Sequence, residues 1–301
     1  NDFENSAKNY TQAVKLNPNY FEAYNNLGSI SLKLGKLDIA EKNFKKVLLI
    51  KPEFGIGHYN LGCVQEKLNK FEEAERSYKK AIDLKPNYLQ AQNNLNRMIR
   101  QNKLLINLNK IRTSNNKKAP SENKNTGLTS NPFTTNRKVE TELIDELYKI
   151  DSTEIDNTKD IRYGNGKFSD YELFENNSSI LKLVEKDLTD IIKQAVNSDI
   201  FIIDSFFNIL RTGSGLASHH HINDFDRKHK LSDQKYSLTY YLCVGDQNCN
   251  EPGILKLYEP NEEILPSEGT IVIFPANRYH SAVYGGKTDR LMIGVNFYSL
   301  I

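Results

Sequence analysis

Cysteine is scarce: Cys63, Cys243 and Cys249 are all that 301 residues contain. Three scattered thiols cannot supply a disulfide framework or a thiolate zinc site, so a reduced, cytoplasmic protein is expected. Excess charge is missing as well. The 40 basic and 38 acidic residues leave a formal net charge of +2, which gives no general argument for nucleic acid or a membrane surface as partner. No apolar run approaches the roughly 18 residues of a membrane span, and no signal-peptide pattern is present. The sequence also lacks an initial Met and opens inside a helical pattern, which points to a piece of a longer protein.

What is there begins with a repeat. Pro18, Pro52 and Pro86 are spaced 34 residues apart, in "NPNY", "KPEF" and "KPNY". Leu27, Leu61 and Leu95 recur at the same interval, as do Gly28 with Gly62, Ala40 with Ala74, and Tyr10 with Phe44 and Tyr78. This pattern resembles the tetratricopeptide repeat, in which two antiparallel helices approach through small residues, fill the gap with large ones and end at proline. It covers residues 1–112 and predicts a helical domain whose final helix, with Gln92 and Asn96 at aromatic and glycine positions, is a polar cap. The resemblance implies a groove for a peptide or protein partner; simple packing against a neighbouring domain is the alternative. His58 occupies an aromatic position of the repeat and reads as a packing residue.

Residues 113–138 are polar and read as a linker. Residues 139–301 then form the second predicted domain. Two helical stretches, at 139–150 and 178–196, precede a change of texture after Asn197. Short β-rich runs follow ("IFIIDSFFNILRTG", "KYSLTYYLCVG", "GILKLYEP", "GTIVIFPA", "HSAVYGG", "RLMIGVNFYSL"), separated by Gly, Pro, Asn and Asp. They predict a β-sandwich or jelly roll with helices packed outside, giving a multi-domain α and β protein.

Five of the six histidines lie in this region, three of them consecutive in "LASHHHINDFDRKHK". Alternate side chains of a strand share a face, so His219 and His221 point one way and His220 the other. A pair spaced i, i+2 can chelate one metal ion, with His280 as a distant third ligand. "HSAVYGGKTDRLMIGVNF" reads as a hairpin turning at Gly285–Gly286, which would set Arg290 across from His280. A guanidinium beside a metal could hold a dicarboxylate at both ends.

On these residues, 163–301 resembles the iron(II)- and 2-oxoglutarate-dependent oxygenases built on a double-stranded β-helix, and among them bacterial oxygenases that carry tetratricopeptide repeats. The resemblance implies a dioxygenase that uses Fe(II), 2-oxoglutarate and O2 to hydroxylate a protein side chain or a small metabolite. It assigns His219, His221 and His280 to the metal and Arg290 to the far carboxylate of 2-oxoglutarate. Tyr240 or Tyr241 would touch the cosubstrate, and the pattern does not say which. The sequence departs from the family at His221, where the usual ligand is Asp or Glu; Asp224 and Asp226 could supply a carboxylate only through a bulge. Three neutral ligands also suit zinc, nickel or manganese.

Other residues are open between two readings. Asn208 and Asn296 are candidates to face the interior and contact substrate or cosubstrate, or else make ordinary strand hydrogen bonds. His220 reads as a bystander, His229 as a loop residue, and "DFDRKHKLSDQ" as a loop that could close over the barrel mouth. Two rival functions stand beside the oxygenase: a three-histidine cupin-type metalloprotein that ignores 2-oxoglutarate, and a non-catalytic interaction protein that works through its repeats.

Overall fold

The computed structural model describes residues 2–115, 131–150, 153–155, 166–169 and 172–300. The chain divides into two compact units, Asn1–Leu105 and Ile106–Ile301.

The first unit is helical: α1 (Asp2–Leu16), α2 (Phe21–Lys33), α3 (Leu37–Ile50), α4 (Gly55–Lys67), α5 (Phe71–Leu84) and the start of α6 (Leu89–Asn115). The recurring residues explain the pairing. A Cβ on Gly28 would lie 2.7 Å from the Phe44 ring, and one on Gly62 would lie 2.7 Å from the Tyr78 ring. Each glycine therefore admits one aromatic ring from the paired helix, and Phe44 and Tyr78 are fully buried. Ala40 and Ala74 are buried beside them. Gly35 and Asn69 are also 34 residues apart and take left-handed backbone with φ of 71° and 61°. Gly and Asn are the residues that adopt this conformation most readily, so each suits the turn between paired helices. His58 Nε2 lies 2.8 Å from the Pro52 carbonyl oxygen, and Gln92 Nε2 donates to that of Pro86 at 2.9 Å. One repeat position thus fastens successive inter-helix turns.

In the second unit, residues 116–130 of the expected linker lie outside the described residues. Residues 113–115 belong to α6, and Phe133–Asn136 form an edge strand, β1. Further strands are β2 (Thr153–Ile155), β3 (Gly166–Phe168), β4 (Ile200–Leu210), β5 (Ser214–His219), β6 (Lys235–Cys243), β7 (Leu255–Leu257), β8 (Glu262–Ile264), β9 (Thr270–Pro275), β10 (His280–Tyr284) and β11 (Arg290–Ser299). They make two antiparallel sheets, a large one in the order β1-β9-β6-β11-β4-β3-β2 and a small one in the order β5-β10-β7-β8.

The large sheet buries both faces. Leu238, Tyr240, Ile271, Ile273, Leu291, Ile293 and Val295 pack outward against α7 (Thr141–Lys149) and α8 (Ser179–Val196). Leu181, Val184, Leu188, Ile192 and Val196 supply the buried stripe of α8, at helical spacing, and Asn197 ends it in left-handed backbone. The alternate residues of the same strands, among them Tyr241, Phe274 and Met292, point inward toward the small sheet.

The predicted hairpin across Gly285–Gly286 does not form. β10 pairs with β5 and β7 in the small sheet, whereas β11 pairs with β4 and β6 in the large one. Every residue of β11 is buried, so both of its faces gain more as a central strand than beside the short β10. Gly286 carries the chain between the sheets. A Cβ there would lie 2.3 Å from both the Asp246 carbonyl oxygen and the Tyr284 hydroxyl.

Candidate metal centre and cavity

The sheets face one another across a cavity of about 280 Å³. Its walls come from both: His219, Leu255, His280 and Ala282 from the small sheet, and Asn208, Ser237, Thr239, Tyr241, Phe274, Met292, Gly294 and Asn296 from the large one. His219 and His280 are directly opposed partners on β5 and β10. β5 ends at His219, so His221 lies beyond the strand; its backbone N–H donates to the Ala276 carbonyl at 2.9 Å. One candidate ligand atom from each of His219, His221 and His280 lies within 4.8 Å of the others.

The rings are oriented for a shared ligand. His219 Nδ1 lies 2.8 Å from the Ala217 carbonyl oxygen and His280 Nδ1 lies 3.4 Å from that of Arg278. Each carbonyl favours a proton on Nδ1, which leaves the Nε2 lone pair to the cavity. Nε2 of His221 and Nε2 of His280 face each other at 3.3 Å. Burial holds the His221 pKa well below the usual imidazole value, with the neighbouring His280 and His219 acting in the same direction. Burial, then the His219 charge, pushes His280 down to about 3. Neutral imidazoles are the form that binds a metal.

The other candidates separate by position. His220 packs edge-on against Tyr279, ring centroids 4.7 Å apart, and its Nδ1 accepts from the Ile222 N–H. His229 packs on Phe225. Asp224 is fully exposed near Arg227. Asp226 is fully buried and engaged elsewhere, with Lys235 and Tyr298. Neither carboxylate joins the histidines. The segment that holds them is no open loop: it forms a short helix, α9 (Asp224–His229), with a capping box between Asn223 and Asp226.

Of the two tyrosines, Tyr241 faces the cavity and Tyr240 faces the helices, where its hydroxyl donates to the Lys138 carbonyl and accepts from Arg137. Arg290 is fully buried on the inward face of β11. Its guanidinium lies 4.9 Å from the Tyr241 ring centroid and 5.8 Å from that of Tyr284, and Nη1 donates to the Pro252 carbonyl. Among the described residues, Nε and Nη2 have no hydrogen-bond partner. Burial lowers the Arg290 pKa, with Tyr241 opposing the shift. Asn208 Oδ1 is likewise buried without a partner among them. Asn296, by contrast, accepts from Ser237 and donates to Asp204, both at 2.6 Å.

Comparison with known proteins bears on the helical unit. Models described as "Tetratricopeptide repeat" match residues 21–54 and 56–88, and one described as "TPR repeat" matches residues 1–35. No curated protein matches the chain. Solved structures similar to it include the first TPR of Spaghetti (RPAP3) bound to the HSP90 peptide SRMEEVD, at 23% identity, with 32% of this chain and 77% of that one covered and a TM-score of 0.32. The Arabidopsis OM64 TPR domain matches at 26% identity, covering 32% and 80%, with a TM-score of 0.32. A Thermobaculum terrenum O-GlcNAc transferase matches at 24% identity over 34% of this chain but only 19% of its own, also at 0.32. The N-terminal helices of this protein are tetratricopeptide repeats.

Proposed function

We propose that residues 139–301 form an iron(II)- and 2-oxoglutarate-dependent oxygenase of the double-stranded β-helix type, and that the repeats recruit a peptide or protein partner. The observation that carries the reading is the combination of three converging histidines at the cavity with a buried guanidinium on the other sheet, packed against Tyr241, which lines the same cavity. A buried charge without a counter-charge costs several kcal/mol, on the order of 3–5, when its partner is missing. The Nε and Nη2 of Arg290, on one edge of its guanidinium, fit the bidentate geometry of a carboxylate. Three histidines fit iron, though the donor set alone fits zinc or nickel equally.

His219, His221 and His280 would hold the metal on the side of the small sheet. Arg290 would pair with the distal carboxylate of the keto acid, fixed in direction by the Tyr241 ring beneath its guanidinium. Phe274, Leu255 and Met292 line the space and exclude water. Asn208, with a buried carbonyl oxygen to satisfy, would meet a donor from substrate or cosubstrate. When bound, iron(II) with 2-oxoglutarate and O2 supplies the oxidising power for hydroxylating a C–H bond; orientation is the protein's part. Tetratricopeptide repeats suggest a protein-interaction role, so a side chain of a recruited protein is the substrate class favoured over a free metabolite.

Anaerobic titration of apo-protein with iron(II), then 2-oxoglutarate, tests the reading through the weak visible charge-transfer band of a chelated keto acid. The oxygenase predicts the band, and Arg290→Ala should keep metal binding while weakening 2-oxoglutarate binding by about 2 kcal/mol or more, roughly thirtyfold. Iron binding with no band in the wild type would favour a cupin-type metalloprotein.

A further inference from the structure

The ligand set contains one histidine that no strand holds. His219 and His280 are fixed as paired strand residues, but β5 has ended before His221. Two hydrogen bonds fix its main chain instead. Its N–H donates to the Ala276 carbonyl, and its carbonyl accepts from Lys235 Nζ at 2.8 Å. Ala276 in turn donates its N–H to the Lys235 carbonyl at 2.9 Å. Lys235 thus holds His221 directly through Nζ and indirectly through Ala276.

A buried ammonium needs a reason and a counter-charge. Lys235 has both. Its side chain is 6% exposed and lies 2.9 Å from Oδ2 of Asp226, whose side chain is fully buried. The other carboxylate oxygen accepts from the Tyr298 hydroxyl, and Oδ2 also accepts from the Asn223 N–H. Tyr298 is the cross-strand partner of Lys235. The carboxylate accepts three hydrogen bonds within the protein, one of them from Lys235, and a second N–H of the ammonium donates to the His221 carbonyl. Hydrophobic residues of the same volume would stabilise such a spot as well or better; what they could not do is donate to that carbonyl.

We infer that Lys235, oriented by Asp226 and Tyr298, is the positioning residue that holds His221 in the metal-binding geometry. The inference rests on the metal reading proposed above for the three histidines. It also gives α9 a role, because that helix carries the counter-ion that aims Lys235 at the ligand.

The test is cobalt(II) binding to the full chain, followed by the visible d–d spectrum, for wild type, Lys235→Met, Tyr298→Phe and a surface control, Lys186→Met. Thermal unfolding of each apo-protein is recorded in parallel. Lys235→Met keeps the apolar stem and removes the donor. It should weaken cobalt affinity by about 10–100-fold, the usual cost of losing a group that orients a metal ligand, and alter the spectrum, while Lys186→Met binds as wild type. Tyr298→Phe should shift both in the same direction by less. Wild-type affinity and spectrum in Lys235→Met would overturn the positioning role and leave the metal site standing. No cobalt binding by wild type would overturn both. If Lys235→Met does not fold, Tyr298→Phe decides: an altered spectrum in a folded apo-protein supports the inference, and an unchanged one rejects it.

Discussion

Arg290 shows how much one residue depends on others that never touch a ligand. Gly253 has φ of 82°, and a Cβ there would stand 1.3 Å from Arg290 Nη1. The guanidinium occupies the space that a side chain at 253 would fill. Gly253→Ala combines backbone strain of about 1–2 kcal/mol with a collision against the group proposed to bind the keto acid. It should lower 2-oxoglutarate affinity by about tenfold or more with metal affinity unchanged; isothermal titration of each in turn checks this, and equal loss of both would mean a general collapse. At this scale the sequence was partly legible. The sequence grouped His219, His221 and His280, and their rings do converge, but β5 ends at His219, so strand alternation is not what places His221. The face of Tyr240 and Tyr241 was not readable, because "KYSLTYYLC" is apolar on both sides of a strand buried on both sides. Lys235 was missed, and Asp226 was weighed only as a metal ligand, because each sits among other charged residues in "DFDRKHKLSDQK", and nothing in the pattern marks the two that turn inward.

Among elements, the helical pairs were the most legible, since one interval of 34 residues fixes glycine, alanine and aromatic positions together. Gly62→Ala puts two effects in opposition there. Helix propensity favours alanine by about 1 kcal/mol, but a Cβ 2.7 Å from the buried Tyr78 ring overpacks the pair at a cost of about 1–3 kcal/mol. Overpacking should win, and chemical denaturation followed by helical circular dichroism would show a lower midpoint; an unchanged or higher midpoint would mean that the ring moves freely aside. Strand pairing was harder to read. Sequence neighbours suggested a β10–β11 hairpin, yet long-range burial of both faces of β11 overrode local continuity. Edge strands such as β1 and β8 carry few apolar residues and gave no signal.

At the scale of the molecule, each unit keeps an apolar core of its own: Phe44, Leu61, Tyr78 and Leu95 in one, and the helix-backed sheet with its inner cluster in the other. No helix among the described residues is long and apolar enough to cross a membrane. A ligand that binds only the folded state stabilises it by about 2.7 kcal/mol at a hundred times its Kd. Added metal should therefore slow amide hydrogen exchange in β5, β10 and the 220–235 segment and leave α2–α5 unaltered. Equal protection in both units would show that the histidine unit does not respond alone.

The crossing at Gly286 has a metrical meaning. Ten residues separate His280 from Arg290 in sequence, yet they stand on opposite sheets, and packed sheets hold their separation at about 10 Å. The two walls act as the jaws of a fixed caliper, with an imidazole on one and a guanidinium on the other. If a diacid spans them as proposed, one carbon more or fewer must be absorbed by moving a sheet whose outer face is already packed against α7 and α8.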